Sequence, residues 1–145
     1  MWDTQDRTTP SGLTAVRVLA AEDNRMNRAL LEAMLTPLGV DLHLATDGVE
    51  AVEMFREAAF DLVLMDAQMP AMGGVEATGL MRAFERDEGR GATPILALSA
   101  NVMRHHVDGY LAAGMSGFIA KPVSLTVLVN AIQQALKARD AAAAA

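Results

Sequence analysis

The chain has 145 residues and a mass of 15.4 kDa, the size of a single domain. Apolar residues make up 52% of it and charged residues 21%, which suits a buried core and excludes general disorder. The net charge of −6 argues against nucleic-acid binding, and the absence of cysteine excludes disulfides, thiolate metal sites and cysteine nucleophiles.

The two ends of the chain are predicted to lie outside the domain. Residues 1–14 lack an apolar period and predict a flexible leader, while the alanine-rich residues 139–145 predict a disordered tail. The acidic N-terminus is unlike a signal peptide, and no apolar run reaches the roughly 18 residues that cross a bilayer. We therefore expect a domain at 15–138 that is cytoplasmic and makes no membrane contact of its own.

Between these ends, strand and helix patterns alternate five times. Short apolar runs bounded by charge, glycine or proline predict strands, at 16–20, 40–45, 62–65, 95–98 and 118–120. Helical spacing of apolar residues predicts helices around 26–35, 51–55, 75–84, 107–111 and 125–136. Asp47 and Ser124 are suited to cap helices, and Gly39 and Gly114 to end them. This alternation predicts an α/β fold with a doubly wound, five-stranded parallel sheet, the flavodoxin-like (βα)5 arrangement with strand order 2-1-3-4-5.

Four of the predicted strands lead into residues with a charged or hydroxyl side chain. Strand 1 leads into Glu22 and Asp23, strand 3 into Asp66, strand 4 into Ser99 and strand 5 into Lys121. Because the carboxyl ends of parallel strands meet at one edge of the sheet, we expect these side chains to lie together.

Three carboxylates at one edge impose an electrostatic requirement. Two carboxylates about 4 Å apart repel by roughly 4 kcal/mol at an effective dielectric constant of 20, and a single lysine cannot offset every pair. Either a carboxyl pKa rises or a cation binds. Oxygen donors without histidine or cysteine favour Mg²⁺, and an aspartate beside Mg²⁺ and a lysine can act as a nucleophile toward phosphorus.

The same residues lie in a pattern that resembles the receiver (response-regulator) domain of two-component phosphorelay signalling. The resemblance extends over about 16–136 and rests on four motifs, namely AEDN at 21–24, DLVLMD at 61–66 with Met69-Pro70, LSAN at 98–101, and AGM at 113–115 running to Lys121-Pro122. It implies phosphotransfer from the phosphohistidine of a histidine kinase or histidine phosphotransfer domain.

The resemblance also implies a role for each matching residue. Asp66 corresponds to the phosphoacceptor, Asp23 to a direct Mg²⁺ ligand, Glu22 to a ligand through water, and the backbone carbonyl of Gln68 to a further ligand. Ser99 corresponds to the hydroxyl that follows the phosphoryl group, Lys121 to its ion-pair partner, and Phe118 to the aromatic residue that rotates as Ser99 moves. The Lys121-Pro122 bond is expected to be cis, and phosphorylation is expected to change the surface of helix 4, strand 5 and helix 5.

Two positions depart from the family pattern. The acidic pair is Glu22-Asp23 where Asp-Asp is commoner, a variation that resembles the receivers of hybrid histidine kinases. Gly73 stands where the family often has Asp, which puts the rigidity of that loop in question; glycine still serves as a helix N-cap.

The residues are compatible with two kinds of receiver and share single features with two other classes of protein. We expect the receiver of a hybrid sensor kinase, with a stand-alone single-domain regulator as the second candidate; the sequence indicates no oligomeric state. An aspartyl-phosphate phosphatase of the haloacid-dehalogenase type needs an acid two residues after the nucleophile, where this chain has Gln68. A flavodoxin-like FMN carrier would place its phosphate against Glu22 and Asp23, which repel it.

Overall fold

The computed structural model describes residues 12–101 and 103–144. Five strands alternate with five α-helices, and a short 3₁₀ helix follows the first of these. The elements are β1 (Arg17–Ala21), α1 (Arg25–Leu35), the 3₁₀ helix (Thr36–Leu38), β2 (Asp41–Ala45), α2 (Gly48–Glu57), β3 (Leu62–Asp66), α3 (Gly74–Asp87), β4 (Ile95–Ser99), α4 (Arg104–Ala112), β5 (Gly117–Ala120) and α5 (Leu125–Ala144).

The five strands form one parallel sheet in the order β2-β1-β3-β4-β5. This confirms the predicted doubly wound fold and its strand order. Central β3 is buried along its whole length because helices cover both faces of the sheet. The register pairs Ala21 with Met65, Asp66 with Leu98 and Ser99 with Ala120, so the carboxyl ends of these strands form one edge.

Alternating residues of the strands build two separate cores. One core contains Val63 and Met65 of β3 together with Phe55 of α2 and Met81 of α3. The other contains the intervening Leu64 and packs against α1 and α5. The two-residue period of a strand divides its side chains between the two faces, which is why continuous apolar runs are required in this sheet.

Local contacts explain where the helices begin. Asp47 caps α2 by accepting a hydrogen bond from the N–H of Glu50 at 2.8 Å, and Ser124 accepts one from Val127 at 3.3 Å. Asn24 caps α1 in the same way at 3.0 Å. Gly73 is the N-cap of α3 and has no side chain to supply such a bond. Helix α3 nevertheless begins at Gly74, so it forms without a side-chain cap at its N-terminus.

A buried ion pair joins α3 to the segments that precede β4 and β5. Arg82 contacts Glu85 at 2.8 Å, and its guanidinium also donates to the carbonyl oxygens of Thr93 at 2.8 Å and Gly114 at 3.0 Å. The N–H of Thr93 donates to Glu85 at 2.7 Å. Because Glu85 is buried, these hydrogen bonds are needed to offset the desolvation of its carboxylate.

Both predicted boundaries of the domain differ in the structure. Residues 1–11 of the expected leader lie outside the described residues, but Leu13 of that leader is buried in the second core. At the other end, residues 139–144 are helical instead of disordered. Alanine has the highest helix propensity, and Arg139 binds Asp61 at 3.0 Å, which ties this part of α5 to the chain just before β3.

Gly74 generates a prediction about stability, because α3 begins against the backbone of Asp66. A Cβ atom at Gly74 would collide with the carbonyl oxygen of Asp66, whereas one at Gly79 of the same helix would meet open space. We expect Gly74→Ala to lower the free energy of unfolding by about 1–3 kcal/mol through overpacking. Gly79→Ala, the matched control, should raise it by about 0.5–1 kcal/mol.

Urea unfolding of both variants measures the two effects. Equal stabilisation by the two substitutions would show that the close approach of α3 to Asp66 does not exist.

Candidate functional site

Asp66 is the last residue of β3, and its carboxyl group lies at the carboxyl edge of the sheet with 4% of the residue exposed. Its Oδ1 accepts a hydrogen bond from the N–H of Gln68 at 3.1 Å, and its Oδ2 lies 3.3 Å from Nζ of Lys121. Burial, reinforced by the nearby Glu22, raises the pKa of Asp66 to about 7. The Gln68 N–H and Lys121 lower this pKa but do not cancel the increase.

Glu22 and Lys121 form a tighter pair beside Asp66. Oε1 of Glu22 lies 2.9 Å from Nζ of Lys121, and its Oε2 accepts from the N–H of Asn24 at 3.1 Å. Burial acts to raise the pKa of Glu22, but Lys121 and the Asn24 N–H outweigh it and hold that pKa below its usual value. Burial likewise opposes the charge of Lys121, and the two carboxylates overcome it and raise its pKa.

These shifts assign the charges in the absence of a bound cation. Lys121 remains an ammonium and Glu22 a carboxylate, while Asp66 holds a proton over much of the range below pH 7. The expected repulsion between the acidic groups is therefore present. Burial and this repulsion raise the pKa of Asp66, because that carboxyl lacks the close contact that Glu22 has with Lys121.

The donor set fits a hard divalent cation. One carboxylate oxygen from each of Glu22, Asp23 and Asp66 lies within 4.8 Å of the other two. Asp23 is exposed, so a hydrated ion can reach the cluster. Apart from the ion pair with Lys121, buried Oε1 of Glu22 receives no well-formed hydrogen bond from residues 12–101 and 103–144. All of these donors are oxygen atoms, the ligands that Mg²⁺ prefers.

Ser99 lies at the same edge, at the end of β4, but its hydroxyl group already has partners. Its Oγ is 2.8 Å from the hydroxyl of Tyr110 and accepts from the N–H of Asn101 at 2.9 Å. It also lies within donating distance, 3.1 Å, of the carbonyl of Asn101.

Phe118 is in β5 and is 43% exposed. Its side chain lines a groove of about 420 Å³ between the edge of the sheet and α5, together with Ala131 and Ala135. The structure therefore places it beside α5 and away from the cluster of carboxylates.

The other predicted site residues share one open cleft of about 450 Å³, whose lining includes Glu22, Asp23, Asp66, Gln68, Ser99 and Lys121. The Lys121–Pro122 peptide bond is cis, in agreement with the resemblance. Two residues that hydrogen-bond to the site are absent from the predicted site residues. Asn24 follows the acidic pair and could have been recognised as a cap, whereas nothing in the sequence signals that Tyr110 contacts Ser99.

In the part of the chain that the structure describes, none of the helices combines the length and the hydropathy needed to cross a membrane.

Comparison with solved structures supports the fold described above. One similar chain comes from the co-crystal structure of the Saccharomyces cerevisiae histidine phosphotransfer signalling protein Ypd1 and the receiver domain of its downstream response regulator Ssk1. It is 32% identical, has a TM-score of 0.80, and the match covers 84% of this chain and 89% of that one.

The second structure is the receiver domain of the sensor histidine kinase PA1611 from Pseudomonas aeruginosa PAO1, with a magnesium ion coordinated in its active-site cleft. It is 34% identical with a TM-score of 0.77, and the match covers 86% of this chain and 99% of that one.

Among curated proteins, the sensor protein GacS of Pseudomonas syringae is 37% identical over 123 residues, which is 85% of this chain and 14% of GacS. The hybrid signal transduction histidine kinase G of Dictyostelium discoideum is 39% identical over 112 residues, which is 76% of this chain and 3% of that protein. The chain spans 16% of histidine kinase 5 of Arabidopsis thaliana, so it corresponds to a small part of these curated relatives. Residues 18–133 match the family described as the response regulator receiver domain. With that match over most of its length, and with the sheet and acidic cleft described above, the chain belongs to the receiver-domain family of phosphorelay signalling.

Proposed function

We propose that Asp66 accepts a phosphoryl group from a phosphohistidine. The observation that carries this proposal is the position of the Asp66 carboxyl, which lies at the end of the central strand, 3.3 Å from Lys121 and within 4.8 Å of two further carboxylates. A carboxylate oxygen of Asp66 would attack the phosphorus atom and form an acyl phosphate. The phosphorus–nitrogen bond breaks, and its electron pair remains on the imidazole of the donor.

The residues around Asp66 would support this transfer in separate ways. We propose that Asp23, Asp66 and the backbone carbonyl of Gln68 hold Mg²⁺ directly and that Glu22 holds it through water. Bound there, Mg²⁺ would neutralise charge on the transferring group and favour the ionised form of Asp66. Lys121 would bind a phosphoryl oxygen, and Ser99 would donate to another. These roles fit the oxygen donors of the cleft and the ammonium group of Lys121.

The phosphodonor would dock next to this cleft. A cavity of about 310 Å³ lies between Leu30 of α1 and Pro122 and Val123 after β5, and it reaches Lys121. Met26 on the same helix is 79% exposed. An apolar helix surface of a histidine kinase or histidine phosphotransfer domain could pack there and present its histidine to Asp66. The similar chain crystallised with Ypd1 supports a partner of this class.

Phosphorylation would then act on the surface formed by α4, β5 and α5. We propose that Ser99 moves toward the phosphoryl group and that Phe118 changes its rotamer in response, so that a partner recognises the altered surface. We further propose that the domain is the cytoplasmic receiver of a hybrid sensor kinase, which the similarity to hybrid kinases supports. A stand-alone regulator is the second candidate.

The first prediction concerns the phosphoacceptor. Incubation with acetyl phosphate and Mg²⁺ should add one phosphoryl group that hydroxylamine removes, because acyl phosphates react with this nucleophile. Asp66→Asn should abolish the addition, whereas Asp108→Asn, at an exposed position of α4, should retain it. Intact-mass spectrometry provides the measurement. Phosphorylation of the Asp66→Asn chain at the wild-type level would refute the assignment of Asp66.

The second prediction concerns the metal. Glu22→Gln removes a charge that would orient a water ligand of Mg²⁺, so we expect the dissociation constant for Mg²⁺ to rise about 10- to 100-fold. The control is Glu76→Gln, on exposed α3 surface, which should leave the constant unchanged. Isothermal titration calorimetry of both variants gives the comparison. If the Glu22 variant binds Mg²⁺ as tightly as the wild type, Glu22 has no part in the site.

The third prediction concerns pH in the absence of divalent cations. Folded Asp66 keeps its proton up to about pH 7, whereas in the unfolded chain the carboxyl releases it near its ordinary value of 3.8. The folded state therefore binds more protons between these values, and its stability should decrease as pH rises toward 7 and level off above it. Glu22, whose pKa is lowered from 4.5, acts in the opposite sense but mainly below that value.

Urea unfolding in EDTA at several pH values between 5 and 8 tests this dependence. Asp66→Asn should be more stable than the wild type at pH 8 and should show a flatter profile. Parallel profiles for the two proteins would show that Asp66 is not the group responsible.

A further inference from the structure

Tyr110 connects α4 to the edge of the sheet through its hydroxyl group. Within α4, all of whose residues are described, Tyr110 is the one buried side chain, and it packs in the first core. Its hydroxyl oxygen lies 2.8 Å from Oγ of Ser99 and 3.1 Å from the carbonyl oxygen of Asn101. It is the described side chain that hydrogen-bonds to Ser99, whereas Phe118 lies outward in the groove beside α5.

Counting the protons of these groups limits what Ser99 can do in this arrangement. Ser99 and Tyr110 each carry one hydroxyl proton, and the N–H of Asn101 already donates to Oγ of Ser99. Ser99 can donate to the carbonyl of Asn101 while Tyr110 donates to Ser99, or it can donate to Tyr110 while Tyr110 donates to the carbonyl. In both patterns the proton of Ser99 is used, and a phosphoryl oxygen on Asp66 would have to compete for it.

We infer that Tyr110 is a positioning residue that restrains the Ser99 hydroxyl in its resting orientation, so that Ser99 reaches a phosphoryl group on Asp66 only after its hydrogen bond with Tyr110 breaks. The inference rests on the proposed function of Asp66 and Ser99. It adds Tyr110 of α4 as the residue that opposes the movement of Ser99 toward the phosphoryl group.

The contacts also set the size of this restraint. When Ser99 turns away, the hydroxyl of Tyr110 can still donate to the carbonyl of Asn101, so its proton keeps a partner, whereas the N–H of half-buried Asn101 loses Oγ of Ser99 as its acceptor. The share of this cost that comes from Tyr110 is roughly one neutral hydrogen bond, which corresponds to a change in the switching equilibrium of about threefold to tenfold. A restraint of this size holds the resting state and can still be overcome by a phosphoryl group.

Tyr110→Phe tests the inference, because it removes the hydroxyl group and preserves the aromatic ring in the core. In the full chain with Mg²⁺, we expect this variant to bind beryllofluoride, a phosphoryl mimic, about threefold to tenfold more tightly than the wild type. Thr78→Val is the matched control. It also removes a buried hydroxyl, one that makes no hydrogen bond to a described residue, and it should leave the affinity unchanged.

A double-mutant cycle separates the restraint from a general effect on the core. In a Ser99→Ala background the hydroxyl of Tyr110 has nothing to restrain, so Tyr110→Phe should produce no further change in affinity. A second measurement uses the wild-type side chain. The ¹³Cζ resonance of Tyr110 should shift when beryllofluoride binds, and this readout does not depend on the folding of any variant.

The possible results distinguish this inference from the proposed function. Binding by the wild type with equal or weaker binding by Tyr110→Phe would overturn the restraint alone, as would a ¹³Cζ resonance that does not move. An equal gain in affinity in the Ser99→Ala background would overturn it too. Absence of saturable binding by the wild type would instead remove the proposed function, and the restraint with it.

Discussion

The structure depends on a charge imbalance that the parallel sheet creates at one of its edges. Among the described residues, Glu22, Asp23 and Asp66 share the cleft at this edge with the ammonium group of Lys121 and with Arg25. Two of the three carboxylates are buried. Lys121 approaches Glu22 more closely than it approaches Asp66, so the cost of desolvation is expressed as the raised pKa of Asp66. Of the two buried carboxyl groups, the one on the central strand is consequently the less compensated by Lys121.

The rest of the fold determines where these charged groups meet. Buried β3 can hold a charged residue only at its end, where the edge is open to solvent. Gly74 allows α3 to approach the backbone of Asp66, and the N–H of Gln68 fixes one carboxylate oxygen. The two cores therefore determine the location of Asp66, while the loops determine which of its oxygen atoms remain available.

Much of this arrangement could be predicted from the sequence, because it follows from periodicity. The alternation of strands and helices predicts a parallel sheet, and a parallel sheet brings the ends of its strands together, which places Glu22, Asp66 and Lys121 in one cleft. Contacts that depend on the rotation of a helix could not be predicted in this way. Tyr110 falls within the helix predicted around 107–111, but its hydroxyl partner depends on the exact tilt of that helix. The partners of Arg82 and the extent of α5 likewise depend on distant groups such as Thr93 and Asp61.

The contact between Arg82 and the carbonyl oxygen of Gly114 has a mechanical consequence for α4. Gly114 follows the C-terminal end of that helix, and the buried pair with Glu85 keeps Arg82 in place. The helix is thus fixed at one end, whereas Arg104 at the other end is exposed. The seven residues from Arg104 to Tyr110 are separated by six helical rises and form a lever arm of about 9 Å. A small rotation about the fixed end is therefore amplified at the free end, where another molecule could detect it.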